Sequence, residues 1–335
     1  MNRLILGVSV LVSSFAFPTM PAWSWGNDGH RTVGMIADLI LERSPAIRDA
    51  VKNTLDNATL SDAAVFADCA KGRNVCNRPL SPDERDFVAN NPDHKEFHYT
   101  DVPIQQNSYR LGTAGTRDND AVQVMRQAIN FLRGTPGPTP AQLSKKQALW
   151  LLTHLAGDIH QPLHVGAVYF DDACENQVDP NVAGAGKRNF GIGTSIISTN
   201  GGNDMKLPGD QSFHVKFWDE GTVTGAMGLA GRSNTIEGFA QFIISHASTP
   251  GGMHGDIDSW PSQWADDTLP LAKQAYDRID LRGATPTEDH SHRPHCKVPV
   301  TISSDYDAFA NQAALDQLGK AGQRLAALLA KIFGP

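Results

Sequence analysis

The sequence predicts a mainly α-helical protein. Apolar residues recur at helical spacing in the stretches around 30–41, 118–132, 143–159, 260–276 and 310–333. Proline-bearing breaks separate several of them, and neither a strand-rich region nor a glycine-rich phosphate loop appears.

Taken in order, the chain opens with Arg3, the apolar run Leu4 to Val12, and small residues Ala22 and Ser24 before Trp25. Residues 1–24 read as a secretory signal peptide cut before Trp25, too short to span a membrane. No later stretch is long and apolar enough to do so, which leaves a secreted or periplasmic chain without a membrane anchor. Residues 25–335 are expected to form one domain, as a monomer.

The first helix carries Val33, Ile36, Ala37, Ile40 and Leu41, and Pro45 helps to end it. Val122, Met125, Ile129 and Leu132 mark another, broken by Gly134 to Pro140. Residues 168–200, rich in glycine and asparagine, read as an insertion or long loop. Trp260 to Tyr276 is helical in pattern, and Ala314, Leu318, Ala321, Leu325, Leu328 and Ile332 form the stripe of a final helix.

Of 335 residues 40% are hydrophobic, ample for a core. The net charge of −7 is not the footprint of a protein that grips nucleic acid through a basic surface. An anionic substrate would need local attraction, which bound divalent cations supply. Export permits disulfides among Cys69, Cys76, Cys174 and Cys296. Of three possible pairings, Cys69 with Cys76 and Cys174 with Cys296 is preferred because the first is local; a zinc–thiolate site is the rival.

The densest chemistry lies in His154-Leu-Ala-Gly-Asp158-Ile-His160-Gln-Pro-Leu-His164. Leu149, Leu152, Leu155, Ala156 and Ile159 place it at the end of a buried helix, where His154 and Asp158, four apart, share a face. Pro162 forces a turn that lets His164 fold back toward Asp158. Imidazole and carboxylate are zinc's ligands, and a carboxylate's two oxygens allow Asp158 to bridge two ions. A helix with a few satisfied polar residues is the alternative, but burying so many ionisable groups without a metal is costly.

The motif resembles the signature of the S1/P1 nucleases, zinc-dependent secreted enzymes related to bacterial zinc phospholipase C. The resemblance extends over almost the whole mature chain. Trp25-Gly-Asn-Asp-Gly-His30 matches the family's mature terminus, where a free amine and main-chain carbonyl bind zinc beside a histidine. Asp68 ends a segment similar to the family's Trp-Ala-Asp motif, with Phe66 in place of tryptophan. Lys71 falls where fungal relatives carry an arginine; a cation there could contact phosphate, and an ordinary surface lysine is the alternative. His98-Tyr-Thr-Asp101 is similar to the His-aromatic-x-Asp segment, with Asp101 a candidate for orienting water or moving a proton. Gly201-Gly202-Asn203 precedes His214 and Asp219, which stand five apart where relatives have four. One extra residue rotates a side chain by about 100° in a regular helix, so both reach one ion only if a π-bulge or irregular turn absorbs it.

The resemblance therefore implies three zinc ions: one on Asp68, His98, His154 and Asp158; one on Trp25, His30 and Asp158; one on His164, His214 and Asp219. It implies cleavage of single-stranded DNA and RNA to 5′-phosphorylated products, with nucleotides also serving as substrates through 3′-nucleotidase activity. A zinc phospholipase C and a non-catalytic zinc-binding secreted protein are the alternatives. His94 reads as a surface residue and His160 as packing or support behind the ligands. His290-Ser-His292-Arg-Pro-His295, a loop without carboxylates, reads as incidental.

Overall fold

A computed structural model describes residues 25–72, 76, 78–135, 142–182, 196–231, 235–288 and 294–334. The expected signal peptide, residues 1–24, lies outside them. The helices in chain order are α1 (Gly26–Leu41), α2 (Pro45–Thr54), α3 (Leu60–Ala63), α4 (Phe66–Ala70), α5 (Pro82–Asn90), α6 (Ala121–Leu132), α7 (Lys145–Asp158), α8 (Thr222–Leu229), α9 (Ile236–His246), α10 (Trp260–Asp277) and α11 (Ser304–Phe333). Local chemistry sets many starts. Ser81 with Glu84, and Ser144 with Gln147, form reciprocal capping boxes for α5 and α7, satisfying backbone N–H groups that no earlier turn can reach. Pro45 occupies the first turn of α2, where its missing N–H costs nothing.

The main core gathers the apolar stripes of α1, α6, α7, α9 and α11 around Ile36, Met125, Leu152, Phe239 and Leu325. α1 packs along α11, α9 and α3, while α7 lies against α6, α1 and α11. Close approach of α1 to α11 depends on Gly322, since a Cβ there would sit 2.5 Å from Ile36. The segment that ends at Asp68 is divided between α3 and α4, and Phe66 stacks on Trp150 with centroids 4.2 Å apart.

Short strands form a second layer that the sequence did not announce. β1 (Val102–Pro103) pairs in parallel with β2 (Gly166–Ala167), and β3 (Tyr169–Asp171) pairs antiparallel with β4 (Ile196–Ser198). β5 (Met205–Leu207), β6 (Gln211–Ser212), β7 (Thr285–Glu288) and β8 (Pro294–Pro299) make a four-stranded sheet in the order β6-β5-β8-β7. A second apolar cluster of Phe170, Phe213, Trp218, Tyr276 and Val298 packs there. The stretch 168–200, read as an insertion or long loop, carries a strand at each end, β3 and β4. Buried residues such as Tyr169 and Ile197 gain more from pairing than from solvent exposure.

Both expected disulfides are present, Cys69–Cys76 and Cys174–Cys296, with Cα atoms 5.3 Å and 5.6 Å apart. Cys174–Cys296 ties the turn after β3 to β8. No helix among the described residues is long and apolar enough to cross a membrane.

Candidate metal centre

Three groups of buried imidazoles and carboxylates meet around the end of α7: His30, His154 and Asp158; Asp68, His98 and His154; His164, His214 and Asp219. All of these residues are at most 5% exposed.

α7 supplies His154 and Asp158 four residues apart, as the sequence predicts. Asp158 divides its oxygens: Oδ2 lies 3.0 Å from His98 Nδ1 and 3.1 Å from His154 Nε2, while Oδ1 lies 3.4 Å from His30 Nε2 and 3.8 Å from His164 Nδ1. Asp68 Oδ1 is 3.8 Å from His98 Nδ1 and 3.7 Å from His154 Nε2. Four donors at about 2.0–2.1 Å from zinc would be about 3.3–3.4 Å from one another, so these separations have the scale of one coordination polyhedron.

Backbone carbonyls fix the tautomers. His154 Nδ1–H donates to Ala64 O at 2.6 Å, His164 Nδ1–H to His98 O at 2.8 Å and His214 Nδ1–H to Gly201 O at 2.6 Å. A carbonyl only accepts, so each Nε2 keeps its lone pair and turns it inward. His164 Nε2 and His214 Nε2 then face each other at 3.0 Å. Two lone pairs at that distance suit a shared cation, a proton or a metal ion. Asp68 Oδ2 and Asp219 Oδ2, buried and without a hydrogen-bond donor, are further atoms that a cation would satisfy.

The five-residue spacing of His214 and Asp219 is absorbed as the sequence requires. Phe213–Gly221 is a π-helix, capped by Ser212, and it brings His214 Nε2 to 3.5 Å from Asp219 Oδ2. Asp219 Oδ1 accepts from Gln161 Nε2 at 2.8 Å and from Trp25 N at 3.3 Å. Trp25 itself is fully buried, its indole donating to Gly157 O at 2.9 Å. His30 stacks on His154 with centroids 3.8 Å apart, a packing that requires Gly157, whose Cβ would fall 2.8 Å from His30 Nδ1.

The carboxyls divide by their surroundings. Burial pushes Asp68 up, but the Lys71 ammonium and the His154, His98 and His30 rings outweigh it and hold the group at about 2. Asp158 also overcomes burial, through His154 and His164, and stays well below the usual range. Asp219 does not: burial raises it to about 7 against His164 and Gln161. Burial likewise lowers His98 to about 3 and His164 and His214 to about 4, while Asp158 and Asp68 overcome it at His154, which is raised.

Lys71 Nζ lies 2.7 Å from Asp68 Oδ1. Asp101 is buried with Oδ1 lacking a hydrogen-bond donor, and burial raises it to about 6 against the pull of Arg117. The Cβ built at Gly201 would be 3.5 Å from both Asp101 Oδ1 and His214 Nδ1, which places Asp101 beside the third group.

One histidine reading is corrected. His94 is 5% exposed rather than on the surface, its ring nitrogens 2.8 Å from Asn91 O and 3.2 Å from Ala70 O, because the turn at 94–98 folds it under Phe87. Of the histidine-rich loop, His290 and His292 lie outside the described residues. Sequence reasoning missed Gln161 and the carbonyls of Ala64, His98 and Gly201. Only the position of Gln161 inside the motif could have signalled its role; a carbonyl leaves no trace in the sequence.

A family model described as S1/P1 Nuclease matches residues 25–334. Among curated proteins the chain is similar to Endonuclease 1 of Arabidopsis thaliana, 23% identical over 98% of this chain and 92% of that protein. It is also similar to Endonuclease 3 of the same plant, 22% identical over 93% and 90%, and to Endonuclease 2, 29% identical over 46% and 49%.

Proposed function

The chain belongs to the S1/P1 nuclease family, and from that premise we propose an exported, zinc-dependent endonuclease that cuts single-stranded DNA and RNA to 5′-phosphorylated products and removes 3′-phosphates at the same centre. Membership makes it a hydrolase acting on phosphodiester bonds. The metal dependence rests on one observation above the others: His164 and His214 present two unprotonated nitrogens to each other at 3.0 Å.

Asp68, His98, His154 and Asp158 would hold one zinc; Trp25, His30 and Asp158 a second; His164, His214 and Asp219 a third. Bound zinc would supply Lewis acidity at phosphorus, a more acidic water and positive charge to offset the net −7. Asp158, with one oxygen toward each of two groups, keeps the first two together. Asp101, raised to about 6, is ionised at neutral pH and basic enough to take a proton from an attacking water. Lys71 adds a positive charge beside Asp68 that favours an anionic phosphate. Trp25 would contribute its amine only after cleavage of residues 1–24, since an amide nitrogen has no lone pair to give. A strand that must present an unstacked base beside the metals explains the preference for single strands.

Parallel assays of the processed, zinc-loaded protein on single-stranded DNA, RNA, duplex DNA and phosphatidylcholine test this reading. The expected result is rapid cleavage of both single strands, slower cleavage of duplex and intact lipid. Lipid hydrolysis with intact nucleic acid would overturn it in favour of a phospholipase, and zinc binding without any phosphodiesterase activity in favour of a non-catalytic protein.

A further inference from the structure

His160 turns away from the three metal-binding groups, and the C-terminal helix holds it from two sides. Its Nδ1–H donates to Ala156 O at 2.7 Å, which leaves Nε2 to accept from Arg324 Nη1 at 3.0 Å. Its main-chain carbonyl accepts from Gln317 Nε2 at 2.8 Å. Gln317 and Arg324 are seven residues apart on α11, close to two turns, so they share one face. That face is otherwise lined by Ala310, Ala314, Leu318, Ala321, Leu325 and Leu328.

The network continues into α10, where Arg324 Nη2 pairs with Asp267 and Gln317 Nε2 reaches Thr268 Oγ1 at 3.3 Å. Arg324 is 5% exposed and Gln317 2%. Burying a guanidinium and an amide in an apolar helix face adds little stability that apolar side chains of the same volume would not give. What these groups add is orientation, since they fix both the ring and the carbonyl of a single residue.

Position along the chain decides which group this orientation serves. Asp158 precedes His160 and belongs to α7, with His154 and the packed His30 ring beside it. Gln161 and His164 follow His160, outside the regular helix, and both belong to the third group: Gln161 holds Asp219, and His164 faces His214.

We propose that Arg324 and Gln317 are positioning residues for the third metal-binding group. By clamping His160 they set the turn that delivers Gln161 to Asp219 and His164 to His214. This rests on the reading that His164, His214 and Asp219 hold a cation.

The test is zinc retention of the full processed chain during dialysis against graded chelator, read by elemental analysis, with the melting temperature of the metal-free protein measured alongside. Arg324→Met and Gln317→Met each keep length and remove the polar contact. The expected result is a roughly 10- to 100-fold loss of affinity for one class of zinc, the range typical when support of a ligand is removed, with the other class unchanged. Arg324→Lys, which retains a donor, should recover much of the loss. Asp267→Asn, altered at the half-exposed end of the network, should weaken the same class less, and it serves if Arg324→Met does not fold. Equal weakening of all zinc in step with a lowered metal-free melting temperature would show a purely structural role and overturn the inference, as would unchanged retention. An unaltered chain that retains no zinc would overturn the metal reading itself.

Discussion

Asp68 and Asp219 are both fully enclosed carboxylates with one oxygen that meets no hydrogen-bond donor, yet only Asp68 sits among enough positive charge to stay ionised easily. Lys71 and three imidazoles surround Asp68 and hold it at about 2. Asp219 has an amide, a main-chain N–H and two imidazoles that burial keeps neutral until about pH 4, and it rises to about 7. The deep groups on α1, α4 and α7 therefore balance their own charge. The third group, built on a short turn and a π-helix, carries an imbalance that a cation would remove.

The largest effect should come from the residue that joins the two deep groups. Asp158→Asn removes a charge that faces both deep groups, so zinc content and rate should fall together, the rate by more than the roughly 10- to 100-fold typical of lost ligand support. Full zinc with full rate in that variant would break the bridging role and leave the deep groups as two separate sites.

A contrast in sign comes next, in metal-free protein. Asp219, raised in the fold, favours folding fully below its unfolded value near 3.8, and that contribution is lost as pH rises through about 7. Asp68, lowered in the fold, contributes above about 3.8, and its contribution is lost as pH falls through about 2. At pH 8, Asp219→Asn should therefore stabilise the metal-free chain by on the order of 2–4 kcal/mol, since a tenfold difference in proton affinity between folded and unfolded chain is worth about 1.4 kcal/mol, and Asp68→Asn should destabilise it. At pH 4 the Asp219→Asn gain should vanish. Denaturant titrations at both pH values read the result, and two variants that move stability in the same direction at pH 8 would erase the distinction.

The smallest effect should follow deletion of Lys216. Four-residue spacing on an ordinary helix also puts His214 and Asp219 on one face, so zinc retention should change little. Loss of one zinc on deletion would show that the π-turn itself, rather than the common face, is what the third group requires.

Legibility in the sequence follows the same division. The helices at 26–41, 121–132, 145–158, 260–277 and 304–333 announce themselves through apolar stripes, and His154 with Asp158 through helical spacing. The three groups bring together residues from His30 to Asp219 that local patterns alone do not connect; the family motif does. The π-helix is legible only as a condition, because five-residue spacing needs one if both side chains share a target. The strands at 169–171 and 196–198 are too short to show alternation, and His94 is buried by tertiary contacts with Phe87 and Ala70 rather than by its own pattern.

His98 has a double attachment. Its ring faces Asp158 and Asp68, while its carbonyl accepts the Nδ1–H of His164 at 2.8 Å, and the N–H of Thr100 donates back to His164 O at 2.8 Å. The residue that lends its ring to the deep groups thus lends its peptide to the third, and the backbone between residues 98 and 100 is a wall common to both.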